Sequence, residues 1–344
     1  MRKFILSACI LGASLAGAPG RLLAVDSLPS RGFALENGDV NGDLARDVSD
    51  GVYALSNLFL GGPPPAPLAY CGWEPSRLQN GDMNDDGTID ISDPVRLFSW
   101  LFAGGSAPAA ACEEGQGGAA NTNPRVIPPN AKAFGKSYGE WAAGFTQWAL
   151  SMPVDVNPVV EGTDISAGQS GQVWFLGGTF AATLAGGAWY GIADRSGEVP
   201  AGKALYFPIM NAECSGIEGN GTTDAELRSC AEYWTSHITE ADCEIDGTAL
   251  SDLEHYNIES PLSSFGPLPE NNLIAYLYGA DWNAENGGTV GVVTPSVTMG
   301  YHVMLAPLPV GPHTIHFGGT LSIPEIDYLF YLDVTYHLTV VPAR

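Results

Sequence analysis

The feature that decides the fold is an internal repeat. The chain reads NGDVNGDLARDVSD over residues 37–50 and NGDMNDDGTIDISD over residues 80–93, so the two copies stand 43 residues apart. Counted from Asp39 and from Asp82, each copy places an oxygen-bearing side chain at positions 1, 3, 5, 9 and 12. A repeat at this interval predicts two copies of one small structural unit.

The spacing of these oxygen atoms is typical of a calcium-binding loop. Calcium takes about six to eight oxygen ligands, and a loop of about 12 residues wraps one ion. We therefore predict two calcium ions, one in each loop. The predicted ligands of the first loop are Asp39, Asn41, Asp43, Asp47 and Asp50, with the backbone carbonyl of Ala45 at position 7. Those of the second loop are Asp82, Asn84, Asp86, Asp90 and Asp93, with the carbonyl of Thr88. The alternative is that each loop is a solvated, aspartate-rich turn.

A helix is predicted directly after each loop. Apolar residues recur there at steps of four, three and four, which places them on one helical face. They are Val48, Val52, Leu55 and Phe59 in the first copy, and Ile91, Val95, Phe98 and Phe102 in the second. Glycine pairs at 61–62 and 104–105 are suitable C-terminal caps. The segments before the loops are short or contain proline, so no helix is predicted to enter either loop.

A duplicated calcium loop that carries only its exiting helix resembles the type I dockerin module. The resemblance covers about residues 35–112, and the aspartate at position 12 of both loops agrees with it. It implies that the two units pack with near two-fold symmetry and bind a cohesin-like domain on another protein or a surface scaffold. It also implies that positions 10 and 11 help to recognise the partner; here they are Val48, Ser49, Ile91 and Ser92.

The two loops are predicted to differ in calcium affinity. The second loop has Gly87 at position 6, where glycine permits the sharp turn, and Ile89 at position 8. The first loop has Leu44 and Arg46 at these positions, which resist the turn and add a positive charge. We therefore expect the second loop to bind calcium more strongly. Because the carboxylates repel one another, we also expect folding of the unit to depend on the ion.

The charge balance excludes two kinds of partner. The 344 residues include 14 basic and 38 acidic side chains, a formal net charge of −24. Acidic residues dominate both halves of the chain, so nucleic acids and anionic membrane surfaces are unsuitable partners. The length allows two or three domains. A hydrophobic content of 45% and eight tryptophans favour folded domains over disorder.

The N-terminus has the pattern of a secretion signal. A basic pair at residues 2–3 precedes an apolar run to about residue 15, and the small residues 16–18 form a cleavage site. We predict a signal peptide over residues 1–18, with cleavage no later than about residue 24. The mature protein is then expected to be secreted or associated with the cell surface. No later segment has the length of a membrane span.

Export would place the cysteines in an oxidising compartment. Cys71 and Cys112 flank the second loop and are candidates for a disulfide. Cys214, Cys230 and Cys243 can form at most one bridge among themselves. None has the short paired spacing of a zinc site, so structural roles are expected for all five.

A second domain is predicted over residues 131–344, after a dockerin-like module at 31–112 and a linker at 113–130. The linker is rich in Gly, Ala, Asn and Pro. A helix is predicted over residues 137–151, and its aromatic stripe is expected to be buried against a sheet rather than exposed for binding. The stripe comprises Tyr138, Trp141, Phe145 and Trp148.

The remainder of this domain is predicted to be rich in β-strands. The strands expected are 172–180, 204–210, 273–278, 291–305, 313–321 and 329–340, and a short helix is expected near 224–236. Many short strands with Gly and Pro between them favour an antiparallel sandwich or jelly roll. The predicted fold is thus mixed: a small all-α pair of calcium-loop–helix units, then an all-β sandwich with one N-terminal helix.

No catalytic motif stands out in the second domain. Glu325-Ile326-Asp327 is similar to part of a strand motif of laminarinase-like hydrolases, but Phe330 stands where the second glutamate is required. Other acids are expected to be solvated charges unless the fold brings them together; they are Asp194, Glu198, Asp281 and Glu285. His316 and His337 are candidates for neighbouring positions on adjacent strands. Several aromatics suit either a core or a sugar-binding surface: Trp174, Trp189, Tyr190, Tyr276, Tyr278 and Trp282.

The interpretation that the residues favour is a secreted, modular calcium-binding protein whose dockerin-like module docks a β-sandwich domain to a cohesin-like partner or a cell surface. One alternative is an extracellular polysaccharide-degrading hydrolase of O-glycosyl bonds, with its active site in residues 131–344 and a polysaccharide as its partner. Another is a structural envelope or matrix protein in which calcium stiffens the module.

Overall fold

A computed structural model describes residues 34, 36–43, 46–66, 68, 78–111, 123 and 125–342. The chain divides into two compact units at the Ser137–Tyr138 boundary. We call residues 21–137 the N-terminal unit and residues from 138 the C-terminal unit. The predicted signal peptide, Cys71, Cys112 and most of the predicted linker lie outside the described residues.

Two helices follow the two loops of the N-terminal unit. They are α1 (Val48–Leu60) and α2 (Ser92–Ala103). Asp47 and Asp50 form a capping box at the start of α1. Both helices end at a glycine in the left-handed conformation, Gly61 with φ 67° and Gly104 with φ 69°, because a residue with a Cβ adopts that conformation at a cost.

The helices pack around a small apolar core. Val40, Ala54, Met83 and Leu97 are each at most 2% exposed and form one buried cluster. Gly51 lets the helices approach closely, since a Cβ on it would lie 2.2 Å from the ring of Phe98. The core thus draws one residue from each loop and one from each helix.

The C-terminal unit contains two β-sheets and four α-helices within its described residues. The first sheet has the order β1-β4-β9-β7, with β8 also paired to β9, and the second has the order β2-β3-β11-β10-β5-β6. The strands are β1 (Val173–Phe175), β2 (Thr183–Ala185), β3 (Ala188–Pro200), β4 (Ala204–Ser215), β5 (Ile238–Ile245), β6 (Thr248–Ala249), β7 (Asn257–Glu259), β8 (Ser263–Phe265), β9 (Thr294–Leu305), β10 (Gly311–Ile323) and β11 (Tyr328–Val341). The helices are α3 (Tyr138–Leu150), α4 (Asp224–Thr235), α5 (Leu273–Tyr278) and α6 (Ala280–Glu285).

Aromatic residues join the layers of this unit. Phe207 of β4 stacks on Phe317 of β10 with ring centroids 5.0 Å apart, which brings the two sheets face to face. On the other side of the first sheet, Tyr138 of α3 meets the ring of Tyr206 edge-on at 5.9 Å. The expected burial of the aromatic stripe of α3 is confirmed for Tyr138, Phe145 and Trp148, which are 1%, 6% and 8% exposed.

The prediction of an antiparallel, all-β sandwich with one N-terminal helix is wrong in two respects. The pairs β1–β4 and β3–β11 are parallel, and helices interrupt the strand succession. Residues 273–278, predicted to be a strand, form helix α5, which Asn272 caps by accepting a hydrogen bond from the N–H of Ala275. A short apolar run is compatible with either a strand or a helix, so the capping residue and tertiary packing determine which of the two forms. The β-rich character of the domain is confirmed.

One disulfide connects strand β4 to helix α4. It joins Cys214 to Cys230, which are 16 residues apart, and leaves Cys243 as a buried free thiol. This outcome agrees with the expectation of at most one bridge among the three cysteines. Burial raises the pKa of the Cys243 thiol well above its ordinary range, so this thiol is unreactive.

Candidate functional sites

The first loop is organised by two buried carboxylates. Asp39 accepts hydrogen bonds from the backbone N–H groups of Gly42 and Asp43 at 2.9 and 3.1 Å. Asp50, which is fully buried at the start of α1, accepts three backbone N–H groups. Its donors are Val40 at 2.7 Å, Asn41 at 3.1 Å and Asp47 at 2.9 Å. The last predicted ligand of the loop therefore also holds its ends together.

The second loop repeats this arrangement. Asp82 accepts from the N–H groups of Asp86 and Gly87 at 3.1 and 3.0 Å. Asp93 is fully buried and accepts from Met83 at 2.7 Å, Asn84 at 3.3 Å and Asp90 at 2.8 Å. The sequence repeat is thus also a repeat of backbone conformation.

Two asparagines tie the loops to each other, and sequence reasoning missed both. Asn37 donates to the carbonyl of Asp82 at 2.6 Å, and Asn80 donates to the carbonyl of Asp39, also at 2.6 Å. In return, Asn37 Oδ1 accepts from Gly81 N and Asn80 Oδ1 accepts from Gly38 N, at 3.0 and 3.1 Å. The signal in the sequence was their equivalent position, two residues before the first aspartate of each loop.

The electrostatics of the loops separate the buried acids from the exposed ones. Burial raises the pKa of Asp50 and of Asp93, and the charges of Asp43 and Asp82 respectively raise them further. A carboxylate whose pKa is raised in this way gains from a nearby cation. By contrast, hydrogen bonds from Ser49 lower the pKa of Asp47 at the loop surface.

The donor chemistry of both loops fits a hard cation such as calcium, since it consists of carboxylate, amide and carbonyl oxygens. Asp39, Asp50, Asp82 and Asp93 are buried, and Asp43, Asp47, Asp86 and Asp90 are exposed. The carboxylates accept hydrogen bonds from their own loops. No three His, Cys, Asp or Glu side chains converge closely enough to hold a metal among the residues that the structure describes. Ala45, predicted to supply a carbonyl, lies outside the described residues, whereas Thr88 lies within them.

The two loops differ at the turn. Gly87 adopts φ 85°, so position 6 of the second loop uses the left-handed conformation that glycine favours. Leu44, its counterpart, lies outside the described residues. Arg46 forms an ion pair with Glu36 at 2.7 Å and lies 4.7 Å above the ring of Trp100. The positive charge of Arg46 is therefore partly compensated, so it should lower the calcium affinity of the first loop less than the sequence alone suggests.

Three of the four residues of the apolar stripe behind each loop face outward, whereas Leu55 and Phe98 are half-buried. Val48, Val52 and Phe59 of α1 are 51%, 58% and 62% exposed. Their counterparts 43 residues later, Ile91, Val95 and Phe102, are 56%, 58% and 73% exposed. We call these six residues the paired apolar face. The predicted recognition residues Val48 and Ile91 belong to it, and Ser49 and Ser92 lie beside them.

In the C-terminal unit, most residues considered from sequence lie apart or on the surface. Asp194 of β3 and His337 of β11 form an ion pair across the strands at 3.4 Å. His316 instead pairs with Asp333 at 3.1 Å. Glu325 and Ile326 lie in a short 3₁₀ helix rather than a strand. Of the aromatics, Trp174 is buried, Tyr190 and Tyr276 are exposed, and Trp189, Tyr278 and Trp282 are half-buried.

Sequence reasoning missed a pair of buried acids in this unit that contact each other. Glu213 of β4 and Glu218, in the turn that follows, are buried and hydrogen-bonded to each other. Tyr278 donates to Glu218 at 3.1 Å, and Ser296 donates to Glu213 at 2.5 Å. No sequence motif indicates the pair, because it depends on a turn and on hydrogen bonds from the distant residues Tyr278 and Ser296.

No protein-family model, no curated protein and no solved structure matches this chain. Within the described residues, no helix combines the length and apolar character needed to cross a membrane.

Proposed function

We propose that the N-terminal unit is a calcium-dependent, dockerin-like docking module of an exported protein. It presents the paired apolar face to a cohesin-like domain on a partner protein or surface scaffold, and so anchors the C-terminal domain. The observation that carries this proposal is the exposure of three equivalent apolar residues on each of two neighbouring helices. Full burial of a Val, Ile or Phe side chain is worth about 1.5–3 kcal/mol, so such a face suits association.

Calcium supplies positive charge to loops that are rich in carboxylates. Asp39, Asn41, Asp43, Asp47 and Asp50 would hold one ion, and Asp82, Asn84, Asp86, Asp90 and Asp93 the other, with the carbonyls of Ala45 and Thr88. The raised pKa values of Asp50 and Asp93 support this assignment. Burial and the charge of a neighbouring acid disfavour the ionised form of each, and a bound cation would stabilise that form. The same aspartates start the helices, so ion binding and presentation of the paired apolar face are coupled.

Calcium binding is tested by calorimetric titration of the full chain with calcium chloride. We expect two sites, with the second loop tighter. Asp93→Asn should weaken the tighter site and Asp50→Asn the other, each by about tenfold or more, because affinity follows the number of charged ligands. Asp85→Asn is the matched control, since Asp85 is exposed and stands at position 4, outside the predicted ligand set. Failure of the chain to take up calcium at millimolar concentration refutes the proposal.

Docking is tested with a panel of purified type I cohesin domains. We expect the full chain to bind at least one of them in calcium chloride and to be released by a chelator. Val52→Asp and Val95→Asp together should abolish binding while calcium uptake persists. Val310→Asp is the matched control, because Val310 is 59% exposed but lies in the C-terminal unit. Calcium uptake without cohesin binding would leave calcium as a stiffening element and favour the matrix-protein alternative.

A further inference from the structure

The C-terminal unit encloses a cavity of about 130 Å³ between helix α3, strand β4 and the second sheet. Six aromatic side chains line it: Phe145, Phe180, Trp189, Trp234, Tyr328 and Phe330. Aliphatic residues such as Leu150, Ile238 and Leu332 supply most of the remaining wall. An engineered apolar cavity of about 150 Å³ holds one benzene molecule, so this cavity has room for a single ring or a short alkyl chain.

The acid pair supplies the ionisable groups of the wall, whose other polar side chains are Thr146, Thr179, Asn211 and Thr235. Glu213 and Glu218 both line the cavity and are 7% and 1% exposed. Ser215 donates a further hydrogen bond to Glu218, at 3.2 Å. Burial, then the charge and hydrogen bond of Glu213, raise the pKa of Glu218 well above its usual range. Two carboxyls in contact do not both ionise, so the pair carries at most one negative charge.

No basic side chain lines this cavity among the described residues. The buried Arg195 is not a lining residue, although it donates to the carbonyls of Val159 and Gly178, which are, and its charge is paired with Glu161 at 2.5 Å. A negative charge in a largely apolar cavity therefore faces aromatic rings, whose faces attract cations. Carboxylate and aromatic walls together select a positively charged ligand with an apolar body.

We propose that this cavity binds a small organic ammonium ion, with its nitrogen on the Glu213–Glu218 pair and its apolar body among the aromatic rings. The same geometry argues against a glycosidase centre. A retaining glycosidase keeps its carboxyl groups about 5–5.5 Å apart, and an inverting one about 6.5–9.5 Å. Here the two carboxyls are hydrogen-bonded to each other, closer than either arrangement.

The proposal is tested by calorimetry on the full chain with three probes of similar shape: benzylammonium, benzyl alcohol and phenylacetate. We expect benzylammonium to bind at least tenfold more tightly than the alcohol, and phenylacetate not to bind. Glu218→Gln combined with Glu213→Gln should reduce benzylammonium affinity by at least tenfold, because the double variant removes the charge whichever carboxyl holds the proton. The matched control is Glu198→Gln, because Glu198 is exposed on β3 and lies outside the cavity wall.

A second variant keeps the test decisive if the double glutamine variant folds poorly. Ala182→Trp adds a bulky ring at a half-buried position of the cavity wall and should abolish binding. Equal affinity for benzylammonium and benzyl alcohol, or binding that survives Ala182→Trp, overturns the proposal. So does hydrolysis of an aryl glycoside that Glu218→Gln abolishes, since that result would assign the pair to catalysis. None of these outcomes depends on calcium or on docking.

Discussion

Replacement of Asn37 by alanine tests whether the two loops hold each other in place. Asn37 is 1% exposed and takes part in three hydrogen bonds: to the carbonyls of Asp82 and Ala109, at 2.6 and 3.1 Å, and from the N–H of Gly81 at 3.0 Å. Each bond contributes about 1 kcal/mol net. We therefore expect Asn37→Ala to destabilise the N-terminal unit by about 3 kcal/mol, which is roughly a 150-fold change in its unfolding constant.

The measurement is hydrogen exchange of the full chain in calcium chloride, read by mass spectrometry on peptides from residues 78–111. These peptides lie in the other copy of the repeat, so faster exchange there reports the tie between loops. Asn57→Ala is the control, because Asn57 bonds only the carbonyls of Gly62 and Pro63, both at 3.0 Å, near the end of its own helix. Equal effects of the two variants on residues 78–111 would refute the reasoning.

Three further predictions concern the interior of each unit. Because burial raises the pKa of Glu218, the folded chain keeps the proton of this carboxyl to higher pH than the unfolded chain. The protonated Glu218 therefore makes its full contribution to the free energy of unfolding below the ordinary pKa of 4.5, and this contribution is lost as the pH rises through the folded-state pKa. Urea unfolding followed by tryptophan fluorescence should show this loss, and Glu218→Gln should diminish it; identical pH profiles would contradict the assignment. Gly51→Ala should destabilise the N-terminal unit by about 1–3 kcal/mol, since its Cβ would meet the ring of Phe98, and Phe98→Leu should relieve part of the cost in a double-mutant cycle. Cys214→Ser with Cys230→Ser should lower the unfolding free energy of the C-terminal unit by about 3 kcal/mol, as expected for a 16-residue separation; an unchanged urea midpoint would argue against a structural disulfide.

The positions of the loops and helices of the N-terminal unit could be predicted because their determinants are local. Aspartate spacing, a capping aspartate and terminal glycines act within a few residues of one another. The direction of the apolar stripe could not be predicted in this way. The buried face of α1 contains Asp50, Gly51 and Ala54, and the choice of face depends on close approach of the second helix.

In the C-terminal unit, the predictable strands are those with a continuous apolar or alternating pattern, such as β11. Strand β3 was missed because Gly191, Gly197 and charged residues interrupt its pattern. Its Arg195 is only 6% exposed and bonds carbonyls of the segment after β1, so a residue that reads as surface belongs to the interior. The parallel pairing of β3 with β11 is non-local and could not be predicted from local pattern. Glu213 and Glu218 are close in sequence, but their contact depends on the conformation of the turn between them.

At several positions the N-terminal unit buries acids and exposes apolar side chains, and these exceptions link its stability to its proposed function. Asp50 and Asp93 are fully buried, whereas Val52 and Val95 are each 58% exposed. Burying a carboxylate costs free energy unless charge compensates it, and leaving a valine in water forgoes the gain of burial. Both penalties are relieved by binding: a cation would stabilise the buried acids, and a partner would cover the valines. A unit with this distribution is therefore expected to fold most stably when it holds its ion and its partner together.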